Sequence, residues 1–451
     1  MNRPLLEGWN NLLARRPDAP ILHDVATGVP CTPSQLDDMA GRIRPMLPER
    51  AAGRIIAFRL PNSAGWVAAF LAILRSGGVA MPLDASLTSI QAADLAKEAG
   101  VERILEGDME VARVVRLDEA ARISRRLAVA KTTSGSTGRP KVCFFRECEL
   151  AADGQNIIAT MGIRPDDVNF GHIPFGHSYG LGNLIAPFFL QGTPLVAARA
   201  SIPRVLWQEI LDSGATVLPT VPDVVRALAS LDLPRAPRLR RVISAGARLD
   251  PGVARRFLER HGRGVHNFLG TSETGAIAYD RKGHASLRGE AVGTPVEGVR
   301  LTVGRSARLW VESRAVFTHR NRNRVGGVGR FLLRDKVAMA PNGEVMLIGR
   351  SGRVIKIGGR RVDLGAFEQR CRRNPDIDDC LAIPLVEDRS FGALFVMRNA
   401  SGRLAQWLRE SFPAWMVPRT VRVVRRIPVD DRGKISVAAA RELLSGQGER
   451  E

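Results

Sequence analysis

Ten consecutive residues, Thr132-Thr133-Ser134-Gly135-Ser136-Thr137-Gly138-Arg139-Pro140-Lys141, bring together five hydroxyl side chains, two glycines and a lysine. Glycines let backbone N–H groups turn inward, and the hydroxyls and the ammonium add further donors, so such a loop suits a polyphosphate. It is not a Walker A loop, which needs four residues between its glycines and a Lys-Ser/Thr pair opening a helix. Here two residues intervene and Pro140 precedes the lysine. A plain polar hairpin turn would need no more than a Ser-Gly or Thr-Gly pair, and this stretch is far richer than that.

A loop of this kind needs strands to hold it. Leu127–Ala130 and Val142–Phe145 are strand-like runs on either side. Upstream, Thr32-Pro33-Ser34-Gln35 reads as a capping box opening a helix. An alternation follows: strand over Arg54–Leu60, helix over Ala64–Arg75, strand over Gly78–Pro82, helix over Thr88–Ala99 and strand over Val101–Leu105. It returns downstream in Val168–Pro174, Pro194–Ala198, Ala215–Pro219, Arg241–Ala245 and Val265–Leu269, with helices predicted over Val205–Ser213 and Pro251–His261. Strands alternating with helices predict largely parallel sheets with helices on both faces. From about Val292 the pattern changes to strands alone: Arg300–Val303, Ala307–Glu312, Gly329–Leu333 and Val345–Ile348, which suit a small barrel or twisted sheet. A Gly- and Arg-dense stretch at 349–352 marks a boundary. The expected fold class is α/β. A large N-terminal domain over 1–349 has two helix-covered lobes and a small β-barrel-like subdomain, and a small mobile α+β domain covers 350–451.

Composition bounds the rest. The chain has 451 residues, too many for one compact unit, and 45% hydrophobic with 25% charged residues is ordinary for a globular protein. The formal charge is +20, and of the 66 basic residues only seven are lysines (97, 131, 141, 282, 336, 356 and 434), leaving 59 arginines. The arginines are scattered and aromatics make up 5%, which argues against a nucleic-acid surface. The charge still favours anionic partners such as nucleotides, coenzyme A or an acidic carrier protein. Five cysteines without a C-x-x-C suggest neither a disulfide framework nor a zinc site, and point to a reducing cytoplasm. No signal-peptide stretch opens the chain, and no apolar run is long enough to span a bilayer. No Ser-His-Asp set or HExxH supports hydrolysis.

Residues 133–141 resemble the phosphate loop T-S-G-S/T-T-G-x-P-K of the adenylate-forming enzymes. That family includes acyl- and aryl-CoA synthetases, luciferases and the adenylation domains of peptide synthetases. The resemblance continues in order from about residue 50 to 440. Asn62–Leu74 and Met81-Pro82-Leu83-Asp84 are similar to the family's first helix and strand, and read equally well as core. The match implies that Thr133, Ser134, Gly135, Ser136, Thr137, Gly138 and Lys141 meet the phosphates. Gly246 and Ala247, at the end of Ser244-Ala245-Gly246-Ala247, would pack on adenine. In Gly270-Thr271-Ser272-Glu273, the hydroxyls would reach the α-phosphate and Glu273 would help hold Mg²⁺, a hard cation suited to carboxylate and phosphate oxygens. His177, Tyr179 and Gly180 would border the carboxylate pocket. Asp335, in Phe331-Leu332-Leu333-Arg334-Asp335, would hold the ribose, with Arg350 nearby. Gly352 takes the hinge position, Lys356, Gly358, Gly359 and Arg360 the loop that meets the thiol acceptor, and Lys434, in Ile427–Ile435, the mobile lysine. Three of the seven lysines thus fall at family lysine positions. The chain departs from the pattern in Leu269 for tyrosine, Ser272 for threonine, Leu333-Arg334 for Thr-Gly and Gly352 for a charged hinge residue.

What the resemblance implies is a two-step reaction using ATP and Mg²⁺, in which a carboxylic acid becomes acyl-AMP and then passes to a thiol. The apolar stretch after His177 suits a fatty or aromatic acid, and the absence of an aspartate in Gly171–Phe175 disfavours an amino acid. The thiol is expected to be coenzyme A, with the phosphopantetheine of an acidic acyl carrier protein as the alternative. A catalytically impaired relative acting as a binding module is the third reading. The oligomeric state is left open.

Overall fold

The computed structural model describes residues 3–108, 111, 113–117, 121–133, 141–200, 202–289, 291–320, 324–325, 329–350, 354–357, 360–385, 390–398, 403–413, 416–430 and 435–446. The chain divides into two compact units. One comprises 1–302, 310–331 and 341–345; the other comprises 303–309, 332–340 and 346–451.

The first unit is built on two large sheets. A nine-stranded sheet has the order Thr294–Pro295, Gly275–Tyr279, Val265–Thr271, Arg241–Ser244, Val217–Thr220, Asn169–Gly171, Leu195–Ala197, Leu22–Asp24 and Val29–Cys31. Its six middle strands are parallel. An eight-stranded sheet has the order Arg324–Val325, His319–Arg320, Lys141–Arg146, Leu127–Thr133, Val79–Pro82, Ile55–Arg59, Arg103–Glu106 and Arg113–Arg116, with four parallel strands at its centre. The alternation read from the sequence is therefore present as two parallel-centred sheets.

The helix Ala64–Arg75 explains how they stack. Ser63 caps it by accepting from the Trp66 N–H, and every residue from Ala64 to Leu74 is buried. A helix apolar all round has to lie inside. Its cluster contains Ile56, Phe58, Ala80, Val129 and Phe145 of one sheet and Leu22, Leu195 and Ala197 of the other. The main core thus lies between the sheets. The outer face of the nine-stranded sheet packs on helices Pro203–Asp212, Pro222–Ser230 and Pro251–His261, and that of the other on Ser89–Ala99. The capping box at Thr32 and Gln35 forms as expected and opens the helix Pro33–Ile43.

After residue 292 a four-stranded sheet has the order Val299–Val303, Arg308–Ser313, Arg330–Met339 and Val345–Arg350. In the second unit, Ile377–Leu385 and Ser390–Met397 pair antiparallel and Thr420–Val423 joins parallel. A separate hairpin pairs Val354–Ile357 with Arg360–Asp363. Phe367, Phe391, Phe395 and Phe412 form much of that unit's core. All five cysteines are free. Among the described residues no helix is long and apolar enough to cross a membrane.

Candidate functional site

In open parallel sheets, ligands bind outside the carboxyl ends of the strands. In the first unit those ends meet. Asn62 follows strand Ile55–Arg59, and its amide nitrogen donates to the carbonyls of Gly171 (2.8 Å) and Ile173 (2.9 Å), beyond strand Asn169–Gly171. Its amide oxygen accepts from the Phe175 N–H at 2.9 Å. Arg199, just after Leu195–Ala197, donates to the Asn62 carbonyl at 3.1 Å. One strand over, Asp84 leaves Val79–Pro82 and meets the His177 imidazole, Nε2 to Oδ2, at 3.0 Å. The other Asp84 oxygen accepts from the Ser86 N–H and hydroxyl at 3.0 and 2.7 Å. Burial alone would raise the Asp84 carboxyl, but these hydrogen bonds outweigh it and hold it well below the usual carboxylate range.

His177 is half-buried and precedes the helical segment that starts at Ser178. Gly180 is required there by close approach, since a Cβ would lie 2.1 Å from the Pro174 carbonyl oxygen. The Tyr179 hydroxyl donates to the Ile243 carbonyl at 2.9 Å, and its ring lies 5.6 Å from Phe268. Its hydroxyl is thus committed to the main chain of strand Arg241–Ser244, and burial pushes it well above the ordinary phenol range. Beyond that strand, Gly246 and Ala247 are exposed. Gly246 has φ +91°, and among the described residues a Cβ there would approach only Val221 Cγ1, at 3.9 Å. On the other side, burial pulls the His172 imidazole down to about 4, and its Nε2 lies 2.9 Å from the Thr220 hydroxyl.

The neighbouring strand Val265–Thr271 carries Gly270 at a β-bulge and ends in a tight turn. The Thr274 N–H donates to the Thr271 hydroxyl at 3.3 Å, and the two threonine hydroxyls lie 3.0 Å apart. Ser272 and Glu273 sit half-buried in this turn, with the Glu273 carbonyl accepting from the Phe317 N–H at 3.1 Å. A carboxylate flanked by hydroxyls is a donor set that fits magnesium, which takes one or two carboxylates and completes its shell with phosphates and water. Among the described residues no group of three His, Cys, Asp or Glu side chains could hold a metal by itself.

The ten-residue motif begins on one strand and ends on the next. Leu127–Thr133 and Lys141–Arg146 pair antiparallel, with Thr133 opposite Lys141. The connection spans seven residues, 134–140, longer than the two to five of an ordinary hairpin loop. Ser134, Gly135, Ser136, Thr137 and Gly138 lie outside the described residues, as do Gly352, Gly358, Gly359 and Lys434 and the side chains of Thr133, Lys141, Arg350, Lys356 and Arg360. Their frames are described. Ile357 pairs with Arg360 across Gly358-Gly359, and Val429 bridges Ile435 across the Lys434 segment. Asp335 is half-buried on strand Arg330–Met339, where Leu333 is core at 2% exposure. That burial accounts for the leucine two positions before the aspartate.

Four residues of this region carry little signal in the sequence. Asn62 and Asp84 read as core, because their partners lie about a hundred positions away. Lys131, 2% exposed on strand Leu127–Thr133, holds its ammonium 4.2 Å from the centre of the Phe145 ring. Asp153, also 2% exposed, accepts from the Ala276 N–H at 2.8 Å. Lysine scarcity was the one available hint, since Lys131 is one of only seven and follows an apolar run.

The AMP-binding enzyme family matches residues 10–132 and 118–307, more than half of the chain. Syringomycin synthase SyrB1 of Pseudomonas syringae pv. syringae is 24% identical over 89% of this chain and 76% of its own length. Sulfoacetate–CoA ligase of Cupriavidus necator is 28% identical over 68% of this chain. The chain spans 65% of that relative's length. ATP-bound MatB from Rhodopseudomonas palustris shares the fold with a TM-score of 0.78, at 21% identity, over 98% of this chain and 99% of that one. With that family model matching more than half of it, the chain belongs to the family of AMP-binding, adenylate-forming enzymes.

Proposed function

We propose that the chain is an ATP-dependent acid–thiol ligase that activates a mostly apolar, fatty or aromatic carboxylic acid and passes it to coenzyme A. Residues 1–349 act as the adenylation domain and 350–451 as the mobile C-terminal domain. The observation that carries this reading is the shared exit of three loops. His177, Gly246-Ala247 and Thr271–Glu273 all leave the carboxyl edge of one sheet. The apolar cluster beside them, Ile243, Ala245 and Phe268 with Tyr179, suits an apolar acyl group.

In the first step a carboxylate oxygen attacks the α-phosphorus of ATP, and the bond to pyrophosphate breaks. Two anions must approach, so neutralising charge matters more than moving protons. Lys141 and Lys434 supply ammonium groups, while Thr271 and Ser272 donate hydrogen bonds to phosphate. Magnesium, held through Glu273, would offset phosphate charge. Asp335 accepts from the ribose hydroxyls, and the strand end at Gly246-Ala247 receives adenine. In the second step the thiol sulfur attacks the acyl carbon, AMP leaves with the bonding pair, and the thiol proton passes to solvent. Lys356, Gly358, Gly359 and Arg360 meet the thiol, and Gly352 is the hinge between the two steps. The +20 charge also suits an acidic carrier protein as acceptor, which is the second reading.

The test is pyrophosphate release across a panel of fatty and aromatic acids, with coenzyme A, with a phosphopantetheine-bearing carrier protein, and with neither. Release that depends on one acid class and yields a coenzyme A thioester is expected. Binding of ATP without pyrophosphate release from any acid would remove the reading.

A further inference from the structure

The second unit carries a cleft that the reaction above does not use. Helix Leu364–Cys371 buries Leu364, Phe367, Glu368 and Cys371. The Glu368 carboxylate pins that face to strand Ile377–Leu385, accepting from the Ala382 N–H at 2.7 Å. The other face, Ala366, Gln369, Arg370 and Arg373, has the i, i+3, i+4, i+7 spacing of one helical stripe and stays out of the core. Helix Leu404–Ser411 buries Leu404 and Leu408 in the same core and leaves Trp407 half-buried. Phe412 links the two helices, its ring centroid 4.6 Å from that of Phe367 and 5.8 Å from that of Trp407. The cleft has a volume of about 550 Å³ and is lined by Gln369, Arg370, Arg373, Asn374, Pro375 and Trp407. Small-molecule sites typically have roughly 300–1,000 Å³.

The cations in this cleft lack the partners that their neighbour has. Arg372 is balanced by Asp379 at 2.8 Å and Glu368 at 3.9 Å. Among the described residues no carboxylate pairs with Arg370 or Arg373. A cation in the last turn of a helix offsets the helix dipole, which accounts for Arg370, but Arg373 stands beyond the helix end. The Arg370 guanidinium lies over the Phe412 ring, 5.1 Å from its centre, so it is steadied at the cleft. Asn374 uses its Oδ1 to accept from the Asp376 N–H at 3.0 Å, which leaves its NH₂ as a donor. Scattered arginines on a surface of +20 charge need no ligand. Two forked cations, two amides and an indole around one cleft are a more specific set. Guanidinium forks match phosphate oxygens, an indole stacks on a planar base, and amides pair with the edge of that base.

We infer that this cleft is a further nucleotide site, in which Arg370 and Arg373 take the phosphate of a nucleoside phosphate and Trp407 stacks on its base. The inference does not need the acid–thiol reading. A free adenine nucleotide and the nucleotide end of coenzyme A share this chemistry. The test is calorimetric titration of the full chain with AMP, coenzyme A and inorganic phosphate, in the wild type, in Arg370→Ala/Arg373→Ala and in Trp407→Leu. The arginine variant should melt as the wild type does, since both side chains are exposed. One AMP site should weaken at least about tenfold in that variant, because hydrogen bonds to charged groups are lost, and the same site should weaken in Trp407→Leu. Tighter binding of coenzyme A than of AMP at the affected site would identify coenzyme A as the source, and the reverse order a free nucleotide. Inorganic phosphate binding there as tightly as AMP would reduce the cleft to an anion site and overturn the inference. AMP binding that is the same in all three proteins would also overturn it. A chain that makes acyl-AMP yet binds AMP without regard to these substitutions defeats the cleft alone, and one that loses an AMP site but releases no pyrophosphate defeats only the acid–thiol reading.

Discussion

The two compact units hold their candidate residues in different ways. In the first, the loops are tied to one another over long sequence distances. Asn62 reaches the Gly171 and Ile173 carbonyls, 109 and 111 positions away, and His177 reaches Asp84 across 93. In the second, each loop is closed locally, by Ile357 opposite Arg360 and by Val429 opposite Ile435. A loop whose ties are the core's own hydrogen bonds cannot move without disturbing the fold. A loop closed by its own short pairing can travel with its unit. Substitutions in the first unit should therefore appear as lost stability, and those in the second as lost rate in a protein that melts normally.

The largest effect tests the second half of that contrast. In the proposed first step the Lys434 ammonium stands between the acid and the α-phosphate, and losing one such preorganised contact typically costs ~10²–10³ in rate, roughly 3–4 kcal/mol. Pyrophosphate release by Lys434→Ala should fall by that factor with the melting temperature unchanged. Supplied with synthetic acyl-AMP and the thiol, the same variant should make thioester at near the wild-type rate, because the acyl group of acyl-AMP is neutral. Equal loss in both half-reactions would end the assignment. Gly352→Pro is its companion, since proline fixes φ near roughly −65°. It should change the two half-reactions unequally, and an equal change in a folded protein would remove Gly352 as the hinge.

Asn62→Ala tests the first half. It strands two buried carbonyls and the Phe175 N–H at once. Unsatisfied buried groups cost about 1–3 kcal/mol each, with partial relief where water enters, so a loss of roughly 3 kcal/mol is expected in urea unfolding. A loss below about 0.5 kcal/mol, within the range of a neutral surface change, would show that the strand ends are not tied through this residue.

What the sequence made legible follows the same division between local and distant. Ala64–Arg75 and Pro251–His261 were readable to their ends, because a Ser63 or Asp250 cap and a run of spaced apolar residues are local signals. The helix Glu147–Met161 was not, because its buried face carries Glu147, Glu149 and Asp153 and breaks the apolar period. The strand expected over Val168–Pro174 is only Asn169–Gly171, since the following backbone groups turn to Asn62 rather than to a neighbouring strand. Site segments could be named from their order along the chain. The residues that tie them together, Asn62, Asp84 and Asp153, depend on partners that only the fold supplies.

The smallest expected effect concerns Asp84, and it separates a charged tie from a neutral one. Hydrogen bonds from His177 and Ser86 hold its folded-state pKa below the ordinary carboxylate value of about 3.9. A group whose pKa is depressed on folding contributes stability at every pH above its unfolded value, and loses that contribution as pH falls toward the folded one. The wild type should therefore exceed Asp84→Asn at about pH 5 by an amount that shrinks below about pH 4. Hydrogen bonds to a charged group contribute roughly 1.5–3 kcal/mol, and partial exposure lowers the expected plateau to about 1 kcal/mol. Asn62→Ala, which involves no titrating group, should show a loss that is flat over the same range. If the Asp84→Asn difference is equally flat down to about pH 3, the tie to His177 is a neutral contact and the two joints are of one kind. A difference that grows as pH falls below about 5 would contradict the depressed pKa itself.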